Sequence, residues 1–272
     1  MSMPRRILVT GAASGIGAHL ARRLLERGDR VCAVDINTEA LAALRTHAPE
    51  TDALMPRRLD VRDAAQWADT IAAMHTQWQG IDVLLNVAGV LKPGYVDEQT
   101  PADVDFHVDI NVKGVMLGTQ AAARPMRAQG HGHIVNVASL AGIAPIPGLS
   151  LYSASKFAVR GYTLAVAQEL HPHGVNVTVV CPDAVQTPML DLQVAYEQAA
   201  LTFSGSAALS VEQIGNAILE RALVDAPMEI MLPAGRGWTS KAASAFPGLT
   251  RLLLDRLRRR GLREQQRRRG DG

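Results

Sequence analysis

The chain has 272 residues, 47% of them hydrophobic and 20% charged, a balance that supports a sizeable buried core and excludes a disordered polymer. One large α/β domain fits this length before a single core would split. The net charge of +2 is unevenly spread: residues 251–269 hold nine arginines against Asp255 and Glu264, a local +7, while residues 1–250 carry about −4. An acidic body and a basic stretch without aromatic residues argue against a nucleic-acid partner.

In chain order, short apolar runs bounded by turn residues at 7–10, 31–35, 54–60, 83–87, 134–138, 175–181 and 229–232 read as strands. Between them, apolar residues recur at helical spacing: Ile16, Leu20, Leu24 and Leu25, then Leu41 and Leu44, then Trp67, Ile71 and Met74. Further helical stretches span 102–126, 150–170 and 211–224. Strands apolar on both faces and alternating with helices predict an α/β fold, a doubly wound parallel sheet of the Rossmann type in a single domain.

That domain is expected over residues 1–235, with a substrate lid at about 188–210. A basic amphipathic extension follows over 236–272, its last residues, 267–272, expected to be disordered. Cys32 and Cys181 fall inside strand runs and are expected as free thiols. The first apolar stretch, Ile7 to Val9, is too short for a secretion signal, and no apolar run reaches about 18 residues. A cytoplasmic location is the resulting expectation.

Where the first strand run turns into a helix, Gly11, Gly15 and Gly17 occur with Ser14 and Ile16 between them. Gly11 permits a tight turn, Gly15 lets the backbone approach a pyrophosphate, and Gly17 lets the helix pack on the strand. The helix N-terminus then favours the anion. The second strand run ends in Asp35, eighteen residues after Gly17. A carboxylate there accepts hydrogen bonds from ribose hydroxyls and repels a 2′-phosphate. With Ser14 before Gly15 and no basic residue adjoining Asp35 in sequence, NAD is expected over NADP.

Tyr152 and Lys156 lie four residues apart, on one face of a helix that begins near Ser150. An ammonium and a cationic nicotinamide beside a phenol favour the phenolate and are expected to lower its pKa toward an acid/base working range. Ser139 follows the run 134–138, at a strand carboxyl end where ligands sit in open sheets. Its hydroxyl is placed to hold a substrate oxygen. His131 and His133, and His171 and His173, lack companions for a metal site, and none is expected.

Together these segments resemble the short-chain dehydrogenase/reductase family over about residues 4–232. The stretch 10–17 matches its TGxxxGIG turn, Asp60 and Val61 its adenine contact, and Asn86, Val87, Ala88 and Gly89 its NNAG segment. Ser139, Tyr152 and Lys156 match its catalytic residues, with Asn111 in the place of the fourth. The stretch 182–189 is similar to PGxVxTxM, so the resemblance gives Pro182, Val185 and Thr187 to the nicotinamide end. It also implies a hydride transfer between a dinucleotide and an alcohol or ketone, and a homodimer or homotetramer formed through 102–126 and 150–170.

Two positions depart from the pattern, Val87 for the second asparagine and Asp183 for the glycine after Pro182. Asp183 caps a turn, meets substrate, or shifts Tyr152. The substrate walls expected at 140–149 and 189–203 are apolar and contain no arginine, which suggests a hydrophobic substrate. In the tail, Leu249, Leu252, Leu253 and Leu257 repeat at helical spacing among arginines. That helix docks on the body or a second subunit, or else lies on an anionic membrane surface through 249–260. Two other functions remain open, an NADP-linked ketoacyl-type reductase and a non-catalytic dinucleotide sensor.

Overall fold

Alternation of apolar residues into two opposite layers is visible within the first strand. In the computed structural model, which describes residues 3–48, 52–205 and 207–270, β1 (Arg6–Thr10) sends Ile7 and Val9 to one face and Leu8 to the other. On the first face Leu20 and Leu24 of α1 (Gly15–Glu26) meet them, and on the second Trp67 and Met74 of α3 (Ala64–Trp78). Between α1 and α3 come β2 (Arg30–Asp35), α2 (Thr38–Ala42) and β3 (Leu54–Arg58).

The chain continues through β4 (Val83–Asn86), α4 (Pro101–His107), α5 (Gly114–Gln129), β5 (Gly132–Val137), α6 (Ser150–Leu170) and β6 (Val175–Pro182). It ends with α7 (Pro188–Val194), α8 (Val211–Asn216), α9 (Leu223–Asp225), β7 (Glu229–Leu232), α10 (Ala234–Ala245) and α11 (Pro247–Gly270). All seven strands are parallel, in the order β3-β2-β1-β4-β5-β6-β7. The doubly wound α/β sheet is therefore present as a single domain, each strand within about two residues of its sequence-predicted bounds.

Winding runs outward from β1 to β3, then returns across β1 to start again at β4. The loops leaving β1 and β4 diverge at that reversal and open a crevice at the strand carboxyl ends. Thr10 holds the gap, its Oγ1 accepting from the Val87 and Ala88 N–H groups at 2.9 and 3.0 Å. Both cysteines are free and buried, in β2 and β6. Among the described residues no helix is long and apolar enough to cross a membrane.

The tail corrects one expectation. Residues 267–270 are helical, as the last turn of α11, and 271–272 lie outside the described residues. Backbone contact holds them: α11 lies along the 3-10 segment Glu197–Ser204, close enough that a Cβ on Gly261 would sit 1.8 Å from the Ala200 carbonyl oxygen. Buried Gln265 donates through Nε2 to the Gln193 and Tyr196 carbonyls at 3.1 and 2.8 Å, and Arg269 Nε to that of Val194 at 2.9 Å. Arg258 reaches Glu197 at 2.6 Å and the Tyr95 hydroxyl at 2.9 Å.

The docked face is thus Gly261 and Gln265, outside the predicted leucine stripe. The side chains of Leu249, Leu252 and Leu253 lie outside the described residues, whereas Leu257 and its neighbour Leu254 line the crevice. Gly261→Val should lift α11 from the segment Glu197–Ser204, because overpacking against backbone costs about 1–3 kcal/mol. Amide exchange along residues 254–270 should then quicken by roughly tenfold or more while the sheet keeps its protection. Unchanged protection of α11 would show that the close approach holds nothing.

Candidate active site

The crevice encloses about 1090 Å³, enough for a dinucleotide and a small substrate together. Its phosphate end is built by the turn from β1 to α1. Gly11 and Gly15 have φ of +68° and +51°, a region that side chains rarely adopt. At Gly17 a Cβ would lie 2.1 Å from the Gly11 carbonyl oxygen, so only glycine lets α1 start there. Ser14, extended at the N-cap, makes no side-chain capping bond, and α1 turns uncapped N–H groups toward the space that Ser14, Gly15 and Ile16 line.

Asp35 closes this end from the tip of β2. Its carboxylate accepts from the Ala13 N–H at 3.2 Å and the Asn37 N–H at 3.0 Å, which aims it across the crevice. Asp60 and Val61 lie beyond the end of β3 on the same wall. The Asp60 carboxylate is engaged by Arg62, with a 2.6 Å contact, and the hydrogen bond from Arg62 holds its pKa below the usual carboxylate range. Arg62, which pattern reading did not single out, is thereby a wall residue of the adenosine end.

One assignment changes. Asn86, expected at the cofactor, is absent from the crevice wall, while Ala88 and Gly89 are present. Its amide is fully buried behind the sheet edge, donating to Asn136 Oδ1 at 2.9 Å and lying 3.4 Å from the Val115 carbonyl and Thr119 Oγ1. A buried amide without partners is costly, and these partners turn the side chain inward.

Three of the four predicted catalytic side chains line the crevice together. Ser139 leaves β5 in an extended conformation and caps the 3-10 turn Leu140–Gly142, accepting from the Ala141 N–H at 3.1 Å and donating to the Pro182 carbonyl at 3.3 Å. Tyr152 and Lys156 stand one turn apart on α6, with Lys156 Nζ 5.7 Å from the Tyr152 ring centre. Lys156 is buried and donates to the Val137 carbonyl at 2.9 Å. Asn111 lies behind them, also buried, in a turn of π-helix at Val108–Lys113 between α4 and α5.

The widened π turn swings Asn111 out of the helix row, so its Oδ1 accepts from the Val90 N–H at 2.8 Å and its Nδ2 donates to the Val90 carbonyl and Ser155 Oγ at 2.9 and 3.0 Å. Gly89 separates it from the lysine: a Cβ there would stand 3.3 Å from Asn111 Oδ1 and 3.4 Å from Lys156 Nζ. Pro182 ends β6, Val185 and Thr187 follow it along the same wall, and the Thr187 methyl would meet a Cβ on Gly15 at 3.2 Å. The segment after β6 thus folds back over the glycine turn.

Burial sets the protonation states in the nucleotide-free protein. It pushes the Tyr152 phenol up to about 12, against a lowering hydrogen bond with Ser139, and pushes Lys156 down to about 8. The lowering expected from the sequence includes a cationic nicotinamide beside the phenol; without it, desolvation dominates at both groups.

Around Tyr152 the crevice has apolar walls from Ile146, Leu149, Met189 and Leu192, all within the stretches expected from the sequence. The extension adds a wall that the sequence did not disclose, with Arg236, Thr239, Ser240 and Ala243 of α10 and Leu254 and Leu257 of α11. Asp183, whose pKa burial raises, pairs with Arg236 at 2.8 Å. The departure from glycine is therefore matched by a cation from α10.

Lys156 supplies a pH test. An unfolded lysine keeps its proton to about pH 10.5, so between about pH 8 and 10.5 the unfolded chain binds more protons and stability rises with pH. In nucleotide-free protein from pH 7.5 to 9.5, unfolding free energies of the parent should gain on those of Lys156→Met, by up to about 1.4 kcal/mol per pH unit. A difference that stays flat would contradict the buried, depressed lysine.

The short chain dehydrogenase family model matches residues 5–197, from β1 to the start of the 3-10 segment Glu197–Ser204. A 3-alpha-(or 20-beta)-hydroxysteroid dehydrogenase of Mycobacterium tuberculosis is 38% identical over 184 residues, 68% of this chain and 70% of that protein. A 2-(R)-hydroxypropyl-CoM dehydrogenase of Xanthobacter autotrophicus is 40% identical over 192 residues, 69% and 77%. The NADP-dependent 3-hydroxy acid dehydrogenase YdfG of Salmonella typhi is 34% identical over 218 residues, 78% and 86%.

Among solved structures, a short chain dehydrogenase/reductase from Burkholderia phymatum in complex with NAD superposes with a TM-score of 0.81 at 25% identity, covering 91% of this chain and 95% of that one. A closed serine dehydrogenase complexed with NADP+ gives 0.74 at 31% identity, covering 82% and 91%. With the glycine turn, the paired tyrosine and lysine, and the parallel sheet already in place, the chain belongs to the short-chain dehydrogenase family of oxidoreductases.

Proposed function

We propose that the protein is an NAD-dependent oxidoreductase that moves hydride between nicotinamide C4 and a hydrophobic secondary alcohol or ketone, with Tyr152 as the acid/base. The observation that carries this is one crevice lined at one end by Gly15 and Asp35 and at the other by Ser139, Tyr152 and Lys156. The bound nicotinamide would supply C4 as hydride acceptor from an alcohol when oxidised and as hydride donor to the carbonyl carbon of a ketone when reduced. In the reductive direction Tyr152 Oη gives its proton to the carbonyl oxygen, and the Ser139 hydroxyl donates to the same atom. Lys156, held by the Val137 carbonyl, presents its remaining N–H groups to ribose hydroxyls and steadies the phenolate as the proton leaves. Asn111, across Gly89 from the lysine, completes a proton path toward solvent.

Relatives and structural neighbours use either dinucleotide. Preference for NAD here rests on Asp35, fixed by two N–H donors where a 2′-phosphate would sit, and on Arg62 being committed to Asp60. Self-association through 102–126 and 150–170 is supported by Val104, Val108 and Phe157, apolar side chains left exposed along these stretches. Free buried thiols accord with a reducing, cytoplasmic setting. Contacts of α11 with the lid favour docking on the body over a membrane surface.

Tyr152→Phe removes the proton donor and leaves the glycine turn and Asp35 untouched. Turnover should fall by roughly 10²–10⁴-fold while NAD affinity, read by fluorescence titration, stays within about threefold. Retained turnover would remove Tyr152 from its role.

A further inference from the structure

A second cavity, of about 610 Å³, lies between α10, α11 and the 3-10 segment Glu197–Ser204. Asp183 and Arg236 belong both to its wall and to that of the crevice, so the two spaces adjoin at this ion pair. Its lining holds Arg236 from α10 and Arg260, Arg263, Arg267 and Arg268 from α11, against only Asp183 and Glu264.

The acids do not neutralise it. Asp183 is taken by Arg236 at 2.8 Å, and Glu264 is shared between Arg267 at 3.5 Å and Arg268 at 3.3 Å. Arg260 and Arg263 have no carboxylate partner among the described residues. Arg267 and Arg268 stand in the last turn of α11, where the helix dipole favours cations, but Arg260 and Arg263 lie in mid-helix without that compensation. They sit three residues apart, and Arg263 sits four from Arg267, spacings at which like charges repel. Crowding cations around a concavity destabilises the protein by itself and concentrates a positive field within it. A multiply charged anion turns that repulsion into binding.

We infer that this pocket binds a multiply charged oxyanion of the phosphate or diphosphate class. Its placement at the substrate end rests on the function proposed above. The anion is either a charged tail on a substrate whose reacting part is apolar, reaching past Asp183 and Arg236 from an oxygen at Tyr152, or a free ion.

The probe is inorganic pyrophosphate, titrated calorimetrically into the full chain with NAD present at saturation. Two double variants are compared: Arg260→Gln with Arg263→Gln, and Arg256→Gln with Arg259→Gln, which removes the same charge from the same helix outside the pocket. The first should weaken binding by about tenfold or more, and the second by less than about twofold. Circular dichroism checks that both keep α11. Absent binding by the parent, or equal losses in the two variants, overturns the proposal.

Kinetics then identify the source. If the KM of a phosphate-ended secondary alcohol rises in the first variant and that of its neutral counterpart does not, the site takes the substrate tail. If neither moves while pyrophosphate binding is lost, it takes a free anion. Should the parent oxidise no alcohol, the calorimetric comparison still decides the pocket and the function proposed above fails alone.

Discussion

The crevice depends on the reversal of winding between β1 and β4, where the loops leaving two adjacent parallel strands part in opposite directions. Thr10 makes that junction definite. Its hydroxyl accepts two N–H groups from the loop that leaves β4, satisfying donors that neither ladder reaches. On one flank Gly17 lets α1 begin within contact of the Gly11 carbonyl, which brings uncapped N–H groups to the opening. On the other, the end of β5 releases Ser139 beside α6. Both ends of the crevice are thus positioned by the carboxyl ends of the same sheet.

Around that edge, burial governs chemistry. Lys156 is desolvated and Tyr152 lies high in pKa, so the nucleotide-free site holds a protonated phenol beside a lysine close to its midpoint near neutral to mildly alkaline pH. In the function proposed, a positively charged ring beside the phenol would offset this burial and favour the phenolate, coupling cofactor binding to proton release. The π turn at Val108–Lys113 serves this site by local backbone geometry, bringing a buried amide to within one glycine of the lysine.

The strands, the glycine turn and the spacing of Tyr152 and Lys156 were legible because they are set by periodicity and by local sterics. Ser139 was legible from its place after a strand. Other features depend on tertiary partners. Asn86 carries the same side chain whether it faces a ligand or Asn136, and only the sheet register decides for Asn136. Asp60 reads as a free carboxylate until Arg62 folds back on it. Asp183 meets a cation fifty-three residues away, and the arginine-rich end of the chain is helical because Gly261 and Gln265 lie against the lid. Composition predicted disorder there, and packing overrode it. The same packing makes the extension a wall of the substrate space, although the family match ends at residue 197.

The most direct test of the proposed function is a panel of secondary alcohols of graded size and polarity, each offered with NAD and with NADP, followed by the absorbance of the reduced nicotinamide. Turnover of one or more apolar alcohols, with kcat/KM higher for NAD than for NADP, is the predicted result. Tight NAD binding without turnover of any alcohol or ketone, or a clear preference for NADP, would contradict it.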